Sequence, residues 1–543
     1  MFNTYLNDNS ILKITLRGDI PEENTESSLP FIHDKRDTIF DLYSISKYIS
    51  ESKINGLFLI IKNLNIGYSR AYEIRSYITD IINSGKKVYV FLEDPGNIEY
   101  FISSSATKVF IPPWATFNLI GLSVENYFIK QLLDKIKVEP EIEGFGEFKS
   151  AAEIFNRTSM SEPNKKMLDS ILDWQFQSII DLISADRNIS TKDVLKYIDS
   201  SPLSPETAKK YKLIDHVCYE NNVVDLLNEE FGNNLKVLKF KDLKKIMRLK
   251  ETLTKLKLWL KGKRQYVGII NINGLITQGS SRTGDGYIKT CGSDTVNKII
   301  KKVTEDKTIR SVVVRVSSPG GSALASDLIR NQLEELSKRK TVIISMSDVA
   351  ASGGYMVSLS SNNIFATPFT ITGSIGVIAG KFNLSGLLKN IGISNETTKR
   401  GKMATLYSTN KRFSPEEKKK FIQMIGDMYD KFVSMVSLHR HLDIKDSENA
   451  AKGRVWNSND AKSLGLIDQI GTFRDSINKA YESLDLDNDR DKLIKVFKTP
   501  SKISLSSLSK LSFFNPDIEL ANIFNLLNRE RFYTVMPNIF EIK

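Results

Sequence analysis

Apolar positions along this chain alternate between two rhythms. Short β-branched runs such as "SVVVRV" (311–316) and "TVIISM" (341–346) read as buried parallel strands. Between them "SALASDLIRNQLEELSKR" sets Leu324, Leu328, Ile329 and Leu333 at helical spacing. Strand, helix and strand in that order imply βαβ units with right-handed crossovers, in which active sites lie at strand-to-helix turns. The segments "SSPGG" (317–321) and "AASGG" (350–354) both fall at such turns.

The same rhythm occurs twice. The segment from Gly56 to Phe91 matches the segment from Ser311 to Met346 in apolar pattern at a fixed offset (311 − 56 = 255), with Arg75 against Arg330. At this offset Tyr100 falls on Tyr355, Val109 on Ile364, and "LLDKIKV" (132–138) on "LLKNIGI" (387–393). "AKKYKLID" (208–215) meets "AKSLGLID" (461–468) at 253, and "LKITLRGDI" (12–20) resembles "GIININGLI" (268–276) at 256. The expected organisation is an N-terminal repeat over 1–235, a connector over 236–265, a C-terminal repeat over 266–490 and an extension over 491–543.

Composition adds little, but charge distribution adds something. The 543 residues are 41% apolar and 26% charged, ordinary for a globular chain of several cores. Lysine and arginine exceed aspartate and glutamate by 76 to 64, giving +12. Between Lys241 and Arg264 there are ten basic and two acidic residues, so +8 of that excess sits in one short segment. The near balance elsewhere argues against a broad nucleic-acid-binding face. Within the segment Leu243, Ile246, Met247, Leu253, Leu256, Trp259 and Leu260 recur at helical spacing, as in a basic amphipathic helix able to lie on an anionic membrane surface. A connector helix packed between the repeats is the plainer reading. Cys218 and Cys291 have neither metal-ligand spacing nor a disulfide framework. No run approaches the roughly 18 apolar residues of a spanning helix, and the first residues lack the features of a signal peptide. The expectation is a chain held to a membrane by its surface, or else a cytoplasmic one.

Comparing the repeats isolates the chemistry. Ser352 falls on Asn97, "ASGGY" (351–355) on "GNIEY" (96–100), and "SPGG" (318–321) on "NLNI" (63–66), so only the second copy has the hydroxyl and the glycine pairs. In the other direction, Lys149 of "GEFKSAAEIF" (146–155) falls on Ala404. A serine hydroxyl needs a base. The four histidines, at 33, 216, 439 and 441, lie in no evident motif. A lysine amine can serve if it is neutral. Free lysine, with a pKa of about 10.4, is almost wholly charged near neutral pH, so desolvation must lower that value. Phe145, Phe148 and Phe155 around Lys149 are compatible with such burial. The N–H groups of Gly320, Gly321 and Gly353 can approach a carbonyl oxygen closely, which suits an oxyanion hole. Ser352 as a helix N-cap and Lys149 as a surface lysine are the bland alternatives.

Taken together, "SSPGGSALASDLIR", the stretch from Ser347 to Val377, "GRVWNSNDAKSLGLIDQIG" (453–471) and "GFGEFKSAAEIF" (144–155) resemble the long, tandem-domain form of the signal peptide peptidase A (protease IV) family, from about residue 10 to about 490. The resemblance implies two tandem α/β domains of the Clp protease/crotonase type (a ββα superhelix) and a serine endopeptidase with a Ser-Lys dyad. It matches Ser352 to the nucleophile, Lys149 to the base, and Ser374 of "TGSIG" (372–376) to the serine that hydrogen-bonds the amine. Gly320, Gly321 and Gly353 match the oxyanion donors. Lys402 in "RGKMA" is the second candidate base, because single-domain relatives carry their lysine in the serine's own domain. Implied too are peptide substrates such as cleaved signal peptides, a homo-oligomer (a tetramer), and neither metal nor cofactor. Phe148 replaces the usual tyrosine before the lysine, and the N-terminal anchor of familiar members is not seen. A crotonase-type acyl-CoA enzyme and a non-catalytic membrane scaffold are the competing functions.

Overall fold

The computed structural model describes residues 9–24, 26–27, 36–232, 234–260, 265–282, 289–484, 493–501 and 533–535. His33, the end of the expected connector and most of the expected extension lie outside the described residues. Each repeat builds one core sheet whose central strands are parallel. In the first, the strands run His216–Val217, Lys108–Ile111, Lys87–Leu92, Gly56–Leu64, Ser10–Gly18, Lys236–Lys239 across the sheet. In the second, Gln469–Ile470, Ile364–Ala366, Thr341–Ala351, Ile309–Ser318, Tyr266–Asn273, Ile494–Phe497 run parallel on the same plan, while Ile371–Gly373 pairs with the end of Thr341–Ala351 and carries Val455–Asn457 antiparallel on its far edge. The central strands are continuous apolar runs because helices cover both faces. Leu57 through Ile61 and Val312 through Val316 are buried.

Helices repeat with the strands. Glu162–Arg187 and Pro415–Arg440 are both 26 residues long and start 253 positions apart (415 − 162). Each begins at a serine N-cap and ends on a residue in the left-handed conformation, Asn188 or His441. In Ala323–Ser337 the inward face is Ala325, Ser326, Ile329, Leu333 and Leu336, whereas Leu324 and Leu328 point outward, since a surface helix buries only one stripe. The expected connector and extension each give a strand to a core sheet. Lys236–Lys239 pairs with Ser10–Gly18, and Ile494–Phe497 with Tyr266–Asn273, in parallel register.

A third sheet joins the repeats. Its order is Thr290–Gly292, Leu275–Thr277, Gly320–Ser322, Tyr533–Val535, Val377–Asn383, Glu139–Phe145. The last two strands pair antiparallel from Val377↔Phe145 to Asn383↔Glu139, one strand from each repeat. They are not equivalent elements, for at the offset of 255 each falls on a segment of the other repeat without regular structure, 122–128 and 394–400.

Charge also ties the repeats together. Arg315, fully buried in the second core sheet, makes two 3.0 Å contacts to the Glu22 carboxylate and one of 2.9 Å to Glu73 Oε1, both acids of the first repeat. Ser347 donates to Glu22 as well. Closer to the serine, the Arg70 side chain reaches Asp348 at 2.5 Å and Asp19 at 2.7 Å. Buried ion pairs add little net stability when intact, but removing one partner strands the other. Arg315→Met should therefore lower unfolding stability by about 3 to 5 kcal/mol. In urea titrations, adding Glu22→Gln and Glu73→Gln should recover part of the loss.

Candidate active site

Ser352 lies where strand Thr341–Ala351 turns into helix Gly353–Ser358. It occupies the N-cap position but makes no side-chain cap bond. Its backbone, at φ 55° and ψ −113°, is one a non-glycine residue seldom adopts, at a cost of about 1 to 3 kcal/mol. The turn is held by its N–H donating to the Gly373 carbonyl at 2.7 Å. What this geometry secures is the direction of Oγ, which lies 2.8 Å from Lys149 Nζ.

Lys149 reaches the serine from the other repeat, 203 positions away. It follows strand Glu139–Phe145, whose antiparallel partner Val377–Asn383 follows Ser374. The linking strands thus bring Lys149 and Ser374 to one end of one ladder. Nζ lies 2.9 Å from Ser374 Oγ and 3.0 Å from the Ser374 carbonyl. Ser374, also at positive φ (53°), is anchored by its N–H to the Arg454 carbonyl. Lys149 is 6% exposed, and Ser352 and Ser374 are fully buried.

Backbone packed against backbone encloses the lysine more closely than the nearby phenylalanines do. A Cβ at Gly453 would sit 2.6 Å from Lys149 Cβ, and one at Gly376 would come within 3.1 Å of Cδ. Phe145 instead packs on Tyr429 and Gly426, Phe148 beside Met167 and Val455, and Phe155 on Phe382. Gly453 and Gly376 stand in the "GRVWN" and "TGSIG" motifs, but their part in enclosing the lysine was not legible, since a close approach of main chains leaves no periodic signal.

Desolvation pushes the Lys149 amine well below the ordinary lysine range. Its three partners are two hydroxyls and a carbonyl. A neutral amine has two N–H donors and one lone pair. Two donors on Ser374 Oγ and O would leave the lone pair of a neutral amine toward Ser352 Oγ.

The other candidates are placed differently. Lys402 is exposed, in the irregular stretch before helix Pro415–Arg440. His439 lies 3.3 Å from Arg330, and His216 stacks on Phe110. Gly353 is the first residue of the helix after the serine, where N–H groups have no intrahelical acceptor. The Gly320 N–H donates to Ser318 Oγ at 3.1 Å, and Gly321 pairs in the third sheet. Ser318, absent from the sequence-based set, therefore controls one of the glycine donors.

Comparison with known proteins agrees with the doubled architecture. The family model of Peptidase family S49 matches residues 81–234 and again 334–487, 253 positions apart (334 − 81). "Serine protease SPPA, chloroplastic" of Arabidopsis thaliana is 33% identical over 520 residues, covering 94% of this chain and 72% of its own. "Protease 4" of Haemophilus influenzae is 30% identical over 495 residues, covering 88% and 77%. A ClpP1 mutant from Listeria monocytogenes overlaps 41% of this chain and 98% of its own at 15% identity, but its TM-score of 0.25 carries no argument. With two matched segments in tandem, each on its own core sheet, this chain is an α/β protein of doubled architecture and belongs to Peptidase family S49.

Proposed function

We propose that this serine protease cuts peptide bonds with a Ser352–Lys149 dyad, acting as an endopeptidase on short apolar peptides such as cleaved signal peptides at a membrane surface. The observation that carries the reading is the buried amine 2.8 Å from the serine hydroxyl, with no carboxylate among its hydrogen-bond partners. Neutral Lys149 takes the Ser352 proton as Oγ attacks the scissile carbonyl, then returns it to the departing amine. Ser374 holds the amine in line. The Gly353 N–H, with those of Gly320 and Gly321, receives the oxyanion; Gly320 must exchange its bond to Ser318 Oγ for the substrate oxygen. Each such donor is worth about 3 kcal/mol in the transition state. No step calls for a metal or cofactor.

Ser352→Ala and Lys149→Met should each abolish hydrolysis of a fluorogenic apolar peptide while leaving the circular dichroism spectrum intact. The double variant should be no worse than either, since dyad members act as one unit. Lys402→Met should stay near wild type; its loss of activity beside an active Lys149→Met would defeat the reading. Fluorophosphonate labelling of Ser352 separates it from a CoA-ester enzyme or an inert scaffold.

The pH dependence has a definite sign. Because burial lowers the Lys149 pKa, the active neutral form grows as pH rises, and kcat/KM should climb through that lowered value to a plateau. Between the folded and the higher unfolded pKa the unfolded chain binds more protons, so the Lys149 contribution to stability also rises with pH. Lys149→Met should remove that part of the slope. A flat rate profile from pH 6 to 10 would count against a lysine base.

The connector supports the membrane part of the proposal. It forms helix Phe240–Leu260, which buries Leu243 and Leu258 and pairs Lys244 with Asp37 and Asp41 of the first repeat. Among the described residues, Leu249, Leu253, Leu256 and Leu260 make an outward row beside Trp259, and Leu253, Trp259 and Leu260 are 51%, 60% and 72% exposed. Arg248 and Lys255 flank one side of the row, Lys250 and Lys257 the other. An apolar stripe between basic flanks suits an anionic headgroup layer, at about 1 kcal/mol per basic residue. Among the described residues no helix is long and apolar enough to cross a membrane. The chain should co-sediment with phosphatidylglycerol vesicles at low salt and detach at high salt. Reversing Lys245, Arg248 and Lys257 to Glu should abolish binding; absence of wild-type binding at low salt would eliminate the peripheral mode. A homo-oligomer, with four copies expected from the family resemblance, completes the proposal, and light scattering tests it.

A further inference from the structure

Away from its surface, this chain pairs its arginines with acids. Among the described residues, the seven other arginines that are buried or half-buried each meet a carboxylate, as Arg440 meets Asp468 and Arg75 meets Asp186. Half-buried Arg454 is the exception. Among the described residues no carboxylate or carbonyl accepts a hydrogen bond from its guanidinium, and its Nε is closed off from solvent without a partner. The acids whose charge it feels are turned elsewhere: Asp460 accepts from Asn457 at 2.8 Å, and Glu147 lies 4.0 Å from Lys452. Burial holds the guanidinium below the ordinary arginine range, against the pull of both acids.

Two aromatic rings hold it in place. The guanidinium carbon stands 4.1 Å from the centre of the Trp456 ring and 5.2 Å from that of Phe148, both within cation–π reach. Each ring is itself fixed, since Trp456 Nε1 donates to the Ala450 carbonyl at 2.8 Å and the Phe148 N–H to the Lys452 carbonyl at 2.9 Å. Stacking engages the flat faces of a guanidinium. Its N–H groups lie in the plane and form a fork that fits a carboxylate. With Nε enclosed, the two terminal nitrogens are the donors on offer.

This fork stands beside the base. Phe148 directly precedes Lys149, the Arg454 carbonyl receives the Ser374 N–H at 2.6 Å, and Gly453 packs against the Lys149 main chain. Because Lys149 returns its proton to the departing amine, the part of a substrate beyond the cut bond leaves on the lysine side. We propose that Arg454 is a specificity residue that receives a carboxylate on this departing part, foremost the free carboxyl terminus of a peptide that ends a few residues beyond the cut. The inference rests on the dyad reading above. A peptide already released by another endopeptidase carries such a terminus, whereas an intact protein continues as amide at the same place. Arg454 therefore favours remnants over whole chains, and a peptide-bond hydrolysis that creates carboxyl ends must precede this one.

Matched fluorogenic peptides, each made as free acid and as carboxamide and ending about two to four residues beyond the cut bond, test the site. The wild type should hydrolyse the best acid with kcat/KM about tenfold above its amide, chiefly through a lower KM. In Arg454→Met the acid should fall to the level of the amide while amide hydrolysis persists. Arg454→Lys should keep part of the preference, because it retains the charge but not the fork. The acid-to-amide ratio separates recognition from lost stacking, which would slow both peptides alike. An amide with a Glu beyond the cut that regains the advantage in the wild type, and loses it in Arg454→Met, supports the same site with a side-chain carboxylate as its source. Equal rates for acid and amide at every length in the wild type, or a preference that survives Arg454→Met, overturn the inference while the dyad stands. Should Arg454→Met be inactive on both, a ratio in Arg454→Lys unchanged from wild type overturns it equally. If the wild type hydrolyses none of the peptides and takes no fluorophosphonate on Ser352, the dyad reading fails and takes the inference with it.

Discussion

Removing one amine from water is the constraint around which the rest is arranged. A lysine surrounded by hydroxyls and carbonyls, without a carboxylate partner, is costly to keep charged, and burial pushes its pKa well below the ordinary lysine range. Carboxylates are kept to other contacts. Asp348 is held by Arg70, while Glu22 and Glu73 are held by Arg315. Those ion pairs fix the two repeats against each other. The amine itself sees only dipoles, and a shell of tightly packed main chain at Gly453 and Gly376 keeps solvent away from it.

The arrangement follows from duplication and subsequent division of labour. Both repeats keep the parallel core sheet and the helices that cover it, because those elements bury apolar surface regardless of chemistry. They differ where burial does not decide. The first has Asn97 at the position of the serine and the second Ala404 at that of the lysine, and each contributes one strand to the ladder that joins them. Ser352 and Ser374 both stand at positive φ in this region, each tied by its own N–H to a neighbouring carbonyl.

Much of this could be read from the sequence, and the boundary has physical reasons. β-branched runs marked the core strands because strands buried on both faces are apolar throughout. Comparing the repeats singled out Ser352 and Lys149 because each stands in only one copy, and the fold brings the two within 2.8 Å. Leu324 and Leu328 were misleading, since helical spacing does not say which stripe faces inward. The antiparallel pairing of Glu139–Phe145 with Val377–Asn383 was not legible, because the partners are not equivalent and lie far apart in sequence. Nor was the bond from the Gly320 N–H to Ser318 Oγ, or the three-residue strand at Tyr533, too short to carry a period.

On the proposed dyad, the two reacting side chains stand 203 positions apart on separate repeats, and the protein is inert until synthesis has passed both. A ribosome that has released only the first repeat has made a fold with a lysine and nothing for it to activate. The serine appears later, and the linking ladder must close before the two meet. On that reading the fusion of two repeats into one polypeptide acts as a timer as well as a scaffold, since the pair cannot form until the second repeat has left the tunnel and docked on the first.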